Sequence, residues 1–355
     1  MSERSDVGMF LSSHEVELET VAARYFDARR DRRLWSCEPE ACLDAELWEA
    51  LSANGFTAVG IDEHLGGSGG TAADAATLLS LSGRTAAAIP LMEHMWLAGW
   101  LLTQAGIPLA KGPSTACAGD LTFERTSRGL QVSGVLERVP WARSCREIVV
   151  LCPDGTVAMV PASVCSIVHG ANPIGEPRDR VEVGRVLLDA DGIGRTTLGQ
   201  DELLARGALG RLIQIEGAAR AALERSVRYV GQREQFGRPL ARFQAVQQRL
   251  AVVARECALL HVGVRLCIPG PGGSDRRLDI AAAKHNASLS VPTIVSNVHQ
   301  VHGAMGITSE YGLGELTLRM SAWVAEFGSD AYWSAILADA CGQDDIWDIV
   351  TGAVR

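Results

Sequence analysis

Arg228-Tyr229-Val230-Gly231-Gln232-Arg233-Glu234-Gln235-Phe236-Gly237-Arg238-Pro239-Leu240-Ala241-Arg242-Phe243-Gln244 is a basic stretch broken by glycine and proline, set between two long helical patterns. Upstream, Leu212, Ile215, Ala219, Ala222, Leu223 and Val230 share one helical face, with Glu216 and Arg220 placed outside it as an i,i+4 ion pair. Downstream, Phe243, Val246, Leu250, Val253, Cys257, Leu260, Val264 and Cys267 recur at alternating spacings of three and four, a seam that demands a packed partner helix. A basic turn between two such helices forms a hairpin suited to an anion. Arg233 stands at a helix end, where a planar guanidinium grips a pyrophosphate through two parallel hydrogen bonds.

Outward from the hairpin, Pro269-Gly270-Pro271-Gly272-Gly273 ends the second helix, and a third runs from Asp275 to about His302, with Pro292 expected to kink it. A shorter fourth near Ser321 to Ala340 completes an antiparallel bundle. At the other end of the chain, residues 12–110 read as helical, with amphipathic segments at His14 to Arg29, Leu43 to Ala53 and Ala72 to Thr85. Gly66-Gly67-Ser68-Gly69-Gly70 reads as an inter-helical turn, since no GK[ST] follows it and no clear strand precedes it. Between about Ser114 and Leu198 the period shortens. Leu130 to Val135, Glu147 to Cys152, Thr156 to Val160, Cys165 to His169 and Val181 to Leu188 read as strands of a small barrel or sandwich, with Pro153-Asp154-Gly155 and Asp189-Ala190-Asp191-Gly192 as turns.

Composition excludes several classes of function. At 355 residues and 47% hydrophobic content the chain buries a large core. Its longest apolar runs, such as Met95 to Leu102, fall far short of the ~20 residues that span a bilayer, so no membrane insertion is expected. The N-terminus lacks a basic segment followed by an apolar one, so a cytoplasmic location is expected. A net charge of −9 with scarce lysine argues against nucleic-acid binding, and the one local exception, Arg29-Arg30-Asp31-Arg32-Arg33, reads as a solvated helix end. Cysteines at 37, 42, 117, 145, 152, 165, 257, 267 and 341 show no CxxC spacing and no histidines at zinc-ligand distances; they read as reduced thiols filling space, and no metal is expected.

The string Arg233-x-Gln235-Phe236-Gly237-x-Pro239-x-x-x-Phe243-Gln244, with Gln300-Val301-His302-Gly303-Ala304-Met305-Gly306, closely resembles the two C-terminal signatures of the FAD-dependent acyl-CoA dehydrogenases. Glu63-His64-Leu65-Gly66-Gly67-Ser68-Gly69 resembles a further family stretch that joins N-terminal helices. The resemblance covers nearly the whole chain. It implies a mainly α fold with a small central β domain: an N-terminal helical domain over 1–112, a β-barrel domain over 113–200 and a C-terminal four-helix bundle over 201–355. It also implies FAD as cofactor, an acyl-CoA as substrate and an electron-transfer acceptor protein as partner. By the same resemblance Arg233 binds the FAD pyrophosphate, Gln235 and Phe236 supply a polar contact and a ring, and Gln244 faces the same pocket. Gln300, Gly303 and Ala304 contact the ADP half of a flavin bound mainly by a neighbouring subunit. Ala304 replaces the family's second glycine with one extra methyl group.

Two family elements are missing. Thr115-Ala116-Cys117-Ala118-Gly119-Asp120-Leu121-Thr122-Phe123 contains neither the Thr-Glu-Pro nor the Gly-Ser-Asp that holds the isoalloxazine ring, although Trp141 remains as a candidate aromatic wall. The catalytic glutamate, a general base of the kind worth ~10² to 10⁴-fold in rate, is absent from both family positions. One falls at Gly207 and the other at Phe327. Glu326, one residue away, is the tentative base, with Asp330 behind it. The family pattern therefore implies a subunit like those of heteromeric bacterial members, which act on sterol side-chain thioesters as heterotetramers: this chain completes the flavin site of a homologous catalytic partner. Two other readings stand beside it. One is a self-sufficient, homo-oligomeric dehydrogenase using Glu326; the other is a non-enzymatic helical scaffold or regulatory subunit.

Overall fold

The computed structural model describes residues 12–28, 43–127, 129–270, 276–308 and 311–343. The arginine cluster at 29–33, Cys37, Cys42 and the turn at 271–273 lie outside the described residues. The chain divides into two compact units, Met1–Gly210 and Arg211–Arg355.

In the first unit, polar residues fix where helices begin. α1 (Ser13–Asp27) opens on a capping box in which Ser12 N donates to Glu15 Oε2 at 2.8 Å and Glu15 N donates to Ser12 Oγ at 3.2 Å. Asp44 caps α2 (Ala45–Ala53), accepting from Leu47 N at 3.0 Å, and Thr71 with Asp74 repeats the box at α3 (Ala72–Arg84). A π-helix, Met92–Gly99, then runs into α4 (Trp100–Ala105) and is buried on all sides. The glycine run at 66–70 turns back on the chain, with Ser68 N donating to Ala58 O and Gly69 N to Ile61 O, both at 2.9 Å.

Among the described residues eight strands follow: β1 (Ser114–Ala118), β2 (Leu121–Thr126), β3 (Gly129–Pro140), β4 (Glu147–Leu151), β5 (Thr156–Pro161), β6 (Ser166–Val168), β7 (Arg178–Leu188) and β8 (Ile193–Arg195). They form two four-stranded sheets, ordered β1-β4-β5-β8 and β2-β3-β7-β6, which enclose one core containing Val132, Val139, Ile148, Val150, Val160 and Val181. All pairings are antiparallel except β1 with β4. The five β-branched runs of the sequence lie on β3 to β7, whereas β1, β2 and β8 carry no such signal. β1 is Ser-Thr-Ala-Cys-Ala, small residues without an alternating pattern, and its place in a sheet is set by pairing with β4.

The second unit is helical: the remainder of α5 (Gln200–Gln232), then α6 (Gln244–Cys267), α7 (Arg277–His302), α8 (Leu313–Trp323) and α9 (Asp330–Gln343). α6 packs along α7, burying Val253, Leu260, Val264 and Cys267 of the expected seam. Two expectations are corrected here. The fourth bundle helix is split, because Phe327 and Gly328 both take positive φ, 53° and 98°, and break the chain between α8 and α9. Glu216 is buried rather than outside the apolar face, with its Oε1 3.1 Å from His261 Nδ1, while Arg220 Nε reaches Glu224 at 3.3 Å. An apolar stripe marks which face is inside and is blind to a polar pair carried within it. Burial pushes the Cys257 and Cys267 thiols up to about 12, so neither is a nucleophile near neutral pH.

Candidate functional site

The last turn of α5 leads into a hairpin whose geometry follows from Phe236-Gly237. Arg233 N donates to Tyr229 O and Leu240 N donates to Arg233 O, both at 2.8 Å, closing the loop at its base. Between them β9 (Glu234–Gln235) pairs with β10 (Arg238–Pro239). The connecting residues Phe236 and Gly237 have φ of 52° and 78°, the two left-handed values that a type I′ turn requires. Glycine adopts this conformation freely; phenylalanine does so at a cost. The Phe236 side chain is 90% exposed at the tip. Beneath it the Arg238 guanidinium lies 4.2 Å from the Phe243 ring centroid, and Phe243 precedes the first residue of α6.

At its C-terminus α7 stops at Gly303, with φ 58° and ψ −140°, and a 3₁₀ turn over Gly303–Ile307 follows. The hairpin, the start of α6 and this helix end border an open cavity of about 560 Å³. Arg233 and Gln235 enter it from the hairpin, and Gln300, Gly303 and Ala304 from the end of α7. Five residues distant in sequence are thereby brought to one place. Phe236 and Gln244 do not line it; Gln244 is exposed at the first position of α6. Sequence reasoning missed Arg249, Tyr229 and His302, which also line the cavity. Arg249 lies five residues after Gln244 near the start of α6, where nothing in the sequence ties it to the end of α7. Its Nη1 donates to Asn297 Oδ1 at 3.1 Å. Two guanidiniums and two amides border this space, donors of the kind that pair with anions, with a residue lacking a side chain at one edge.

Glu326 lies elsewhere in the unit, in the break between α8 and α9. Its Oε2 is 2.8 Å from Arg211 Nε, and Arg211, itself buried, also donates to Gln214 Oε1 at 2.6 Å. Lys284, 1% exposed, donates to Val324 O at 2.7 Å and to Glu326 O at 2.8 Å, pinning the same segment. Burial lowers the Lys284 pKa to about 8. Phe327 is half-buried, its ring centroid 5.9 Å from the Arg211 guanidinium, and its carbonyl accepts from Trp333 Nε1 at 3.0 Å. Asp330 is tied to His285 Nδ1 at 2.9 Å and Ser288 Oγ at 2.8 Å, and these hydrogen bonds hold its carboxyl below the usual range. Gly207 is buried within α5.

In the β domain, β1 passes to β2 through Gly119-Asp120 alone. A Cβ at Gly119 would lie 2.3 Å from Leu136 Cδ2, so the connection is packed down onto the core. Trp141 is 2% exposed and packs with Cys145 and Ala88. It is a core tryptophan.

Family models match the chain at both ends: the acyl-CoA dehydrogenase N-terminal domain over residues 12–111 and the acyl-CoA dehydrogenase C-terminal domain over residues 200–341. The chain belongs to the acyl-CoA dehydrogenase family. Its members are FAD-dependent oxidoreductases. Acyl-CoA dehydrogenase IpdE2 of Mycolicibacterium smegmatis is 28% identical over 280 residues, covering 78% of this chain and 81% of the relative. Among solved structures, the ChsE4-ChsE5 complex from Mycobacterium tuberculosis superposes with a TM-score of 0.78 at 20% identity, covering 94% of this chain and 98% of the other. The Tcur3481-Tcur3483 steroid ACAD variant G363A superposes with a TM-score of 0.77 at 22% identity, covering 93% and 98%. These structures share the acyl-CoA dehydrogenase fold: helical domains at both ends and a small β domain between. Among the described residues, no helix is long and apolar enough to cross a membrane.

Proposed function

We propose that this chain is the partner subunit of a heteromeric acyl-CoA dehydrogenase, supplying the ADP and pyrophosphate half of a flavin site to a homologous catalytic subunit. The observation that carries this reading is the convergence of Arg233, Gln235, Gln300 and Gly303 on one cavity. The residues present fit that half of the cofactor. Arg233 and Arg249 match a diphosphate, Gln235 and Gln300 offer amide contacts, and Gly303 leaves room for close approach of the backbone. Phe236, exposed on its hairpin, is placed to reach a neighbouring subunit.

The other half of the cofactor is poorly served. A connection of Gly119-Asp120 between β1 and β2 leaves no loop to hold a flavin ring, and Trp141 is committed to the core. Bound FAD supplies the hydride acceptor for α,β-dehydrogenation of the acyl-CoA thioester. This chain's residues hold and orient the cofactor's nucleotide end, and the proton is removed by the partner. Glu326 is engaged by buried Arg211 and Asp330 by His285 and Ser288, which argues against either as a base in a self-sufficient enzyme. A pure scaffold would have no use for the arginine-lined cavity. A sterol-like acyl group and a paired assembly, with an electron-transfer protein as acceptor, follow the similar proteins, one of them a two-component steroid ACAD.

The test is flavin absorbance per chain, measured on the protein expressed alone and with an intact acyl-CoA dehydrogenase homologue from the same organism. Alone it is expected to be colourless; the mixed assembly is expected to be yellow and to bleach on addition of a steroid-side-chain acyl-CoA. A chain that is fully yellow by itself and bleaches without a partner overturns the proposal.

A further inference from the structure

The cavity gathers Arg233 and Arg249 and no carboxylate, in a chain whose net charge is −9. The two arginines reach it differently. Arg233 stands on a hairpin whose backbone is closed at its base, whereas Arg249 is an exposed side chain in the second turn of α6. An exposed arginine samples many rotamers, and ordering it opposes the binding of any ligand that needs it in one place. One contact orders it beforehand. Arg249 Nη1 donates to Oδ1 of Asn297, on α7, at 3.1 Å, and Asn297 Nδ2 donates to Thr293 O at 2.8 Å. A guanidinium only donates and a carbonyl oxygen only accepts, so both neighbours require the same orientation of the amide. Asn297 is half-buried and lies three residues before Gln300; Gln300 lines the cavity and Asn297 does not.

The acceptor is neutral, and that decides what the arginine can still do. Among the described residues no carboxylate pairs with Arg249, so its charge remains available. An aspartate at 297 would have neutralised it. With Nη1 held, the Nε–Nη2 edge of the guanidinium, two parallel donors, is left for the oxygens of a ligand. We propose that Asn297 is a positioning residue of the anion subsite: by accepting from Arg249 Nη1 it holds that guanidinium at the cavity as a second clamp on the diphosphate, in addition to Arg233. The proposal rests on the reading of the cavity as the ADP and pyrophosphate subsite. It gives α6 a part in the site that neither sequence signature carries. The same bond ties α6 to α7 at the edge of the cavity, so one contact serves both the packing of the helices and the ligand.

Calorimetric titration of the full chain with inorganic pyrophosphate at low ionic strength tests this in the wild type, Arg249→Met, Asn297→Ala and the double variant, with urea denaturation reporting the stability of each. Arg249→Met is expected to weaken binding about tenfold, the worth of one charge-assisted contact. Asn297→Ala keeps the arginine and removes its support. It is expected to weaken binding about threefold when Arg249 is present and not at all when Arg249 is already Met. That dependence separates positioning from a purely structural contact between α6 and α7, which would lower the urea midpoint and leave the affinity alone. In the wild type labelled with ¹⁵N-arginine, the Arg249 Nε resonance, assigned by its absence in Arg249→Met, is expected to shift on addition of pyrophosphate. Equal affinity in the wild type and either single variant, an equal effect of Asn297→Ala in both backgrounds, or an unmoved Arg249 resonance overturns the proposal and leaves the subsite to Arg233. A wild type that binds no pyrophosphate, or an Arg233→Glu variant that binds it normally, removes the subsite reading itself.

Discussion

Glu326 and Arg211 show how a side chain can hold the right chemistry beside the right place and be occupied with something else. Arg211 is almost wholly buried, and its Nε sits 2.8 Å from the carboxylate. Removing one partner of a buried pair leaves an uncompensated charge, which destabilises by about 3–5 kcal/mol in general. Gln at 326 keeps an acceptor, so Glu326→Gln is expected to lower the unfolding free energy by about 2–3 kcal/mol on that scale, measured by urea denaturation. Unchanged stability with abolished turnover of the mixed assembly would restore Glu326 as the base. Phe236 is the opposite case, a residue whose backbone geometry suits a different amino acid. Asn is the best-tolerated partner of Gly in a type I′ turn. Phe236→Asn is therefore expected to raise stability slightly, by up to ~1 kcal/mol, and to reduce flavin retention in the assembly. A variant less stable than the wild type would show that the exposed ring contributes to the fold of this chain.

At the scale of elements, the break between α8 and α9 is held by a buried amine. Lys284 has a folded pKa of about 8, lowered first by burial. The unfolded chain keeps its lysines near ~10.4, so between these values the unfolded state binds more protons and stability must rise with pH. Below about 8 the ammonium is charged in both states and carries its full desolvation penalty; above ~10.4 the penalty is gone. The stability of the wild type relative to Lys284→Met, followed by denaturation from pH 7 to 10.5, is expected to climb through that window. A difference that is flat or falls with pH refutes the assignment. The comparison cancels other titrating groups. Helix α7 thus has separate duties along its length: Lys284 pins the α8–α9 break, and Gln300 to Gly303 face the cavity.

At the scale of the molecule, what the sequence disclosed depended on whether the signal was local. Long apolar periodicities at Val253, Leu260 and Val264 gave the bundle, because a helix advertises its buried face every three or four residues. Motif residues at 233, 235, 300, 303 and 304 gave the cavity, because fixed backbone geometry needs particular residue types at particular steps. Arg249 and His302 stayed hidden, since neither becomes informative until the α5–α6 hairpin and the α7 terminus are brought together. β1 stayed hidden for a related reason. Its strand character comes from pairing with β4, some thirty residues later, and Ser-Thr-Ala-Cys-Ala has little of its own. The split of the fourth helix escaped too, because Phe at a positive φ is a choice that local propensity disfavours and the surrounding packing imposes.

The short passage from β1 to β2 through Gly119-Asp120 has a bearing on how such a subunit could change its role. Chain closure becomes more costly only slowly with length, by roughly 0.6 kcal/mol for each doubling of a flexible loop. Both flanking strands are secured by their own neighbours, β1 by β4 and β2 by β3. An insertion after Gly119, sparing the contact with Leu136, would therefore leave both registers in place. The junction is an open address in the scaffold, where a ring-holding segment can be gained or lost over evolutionary time without refolding anything around it.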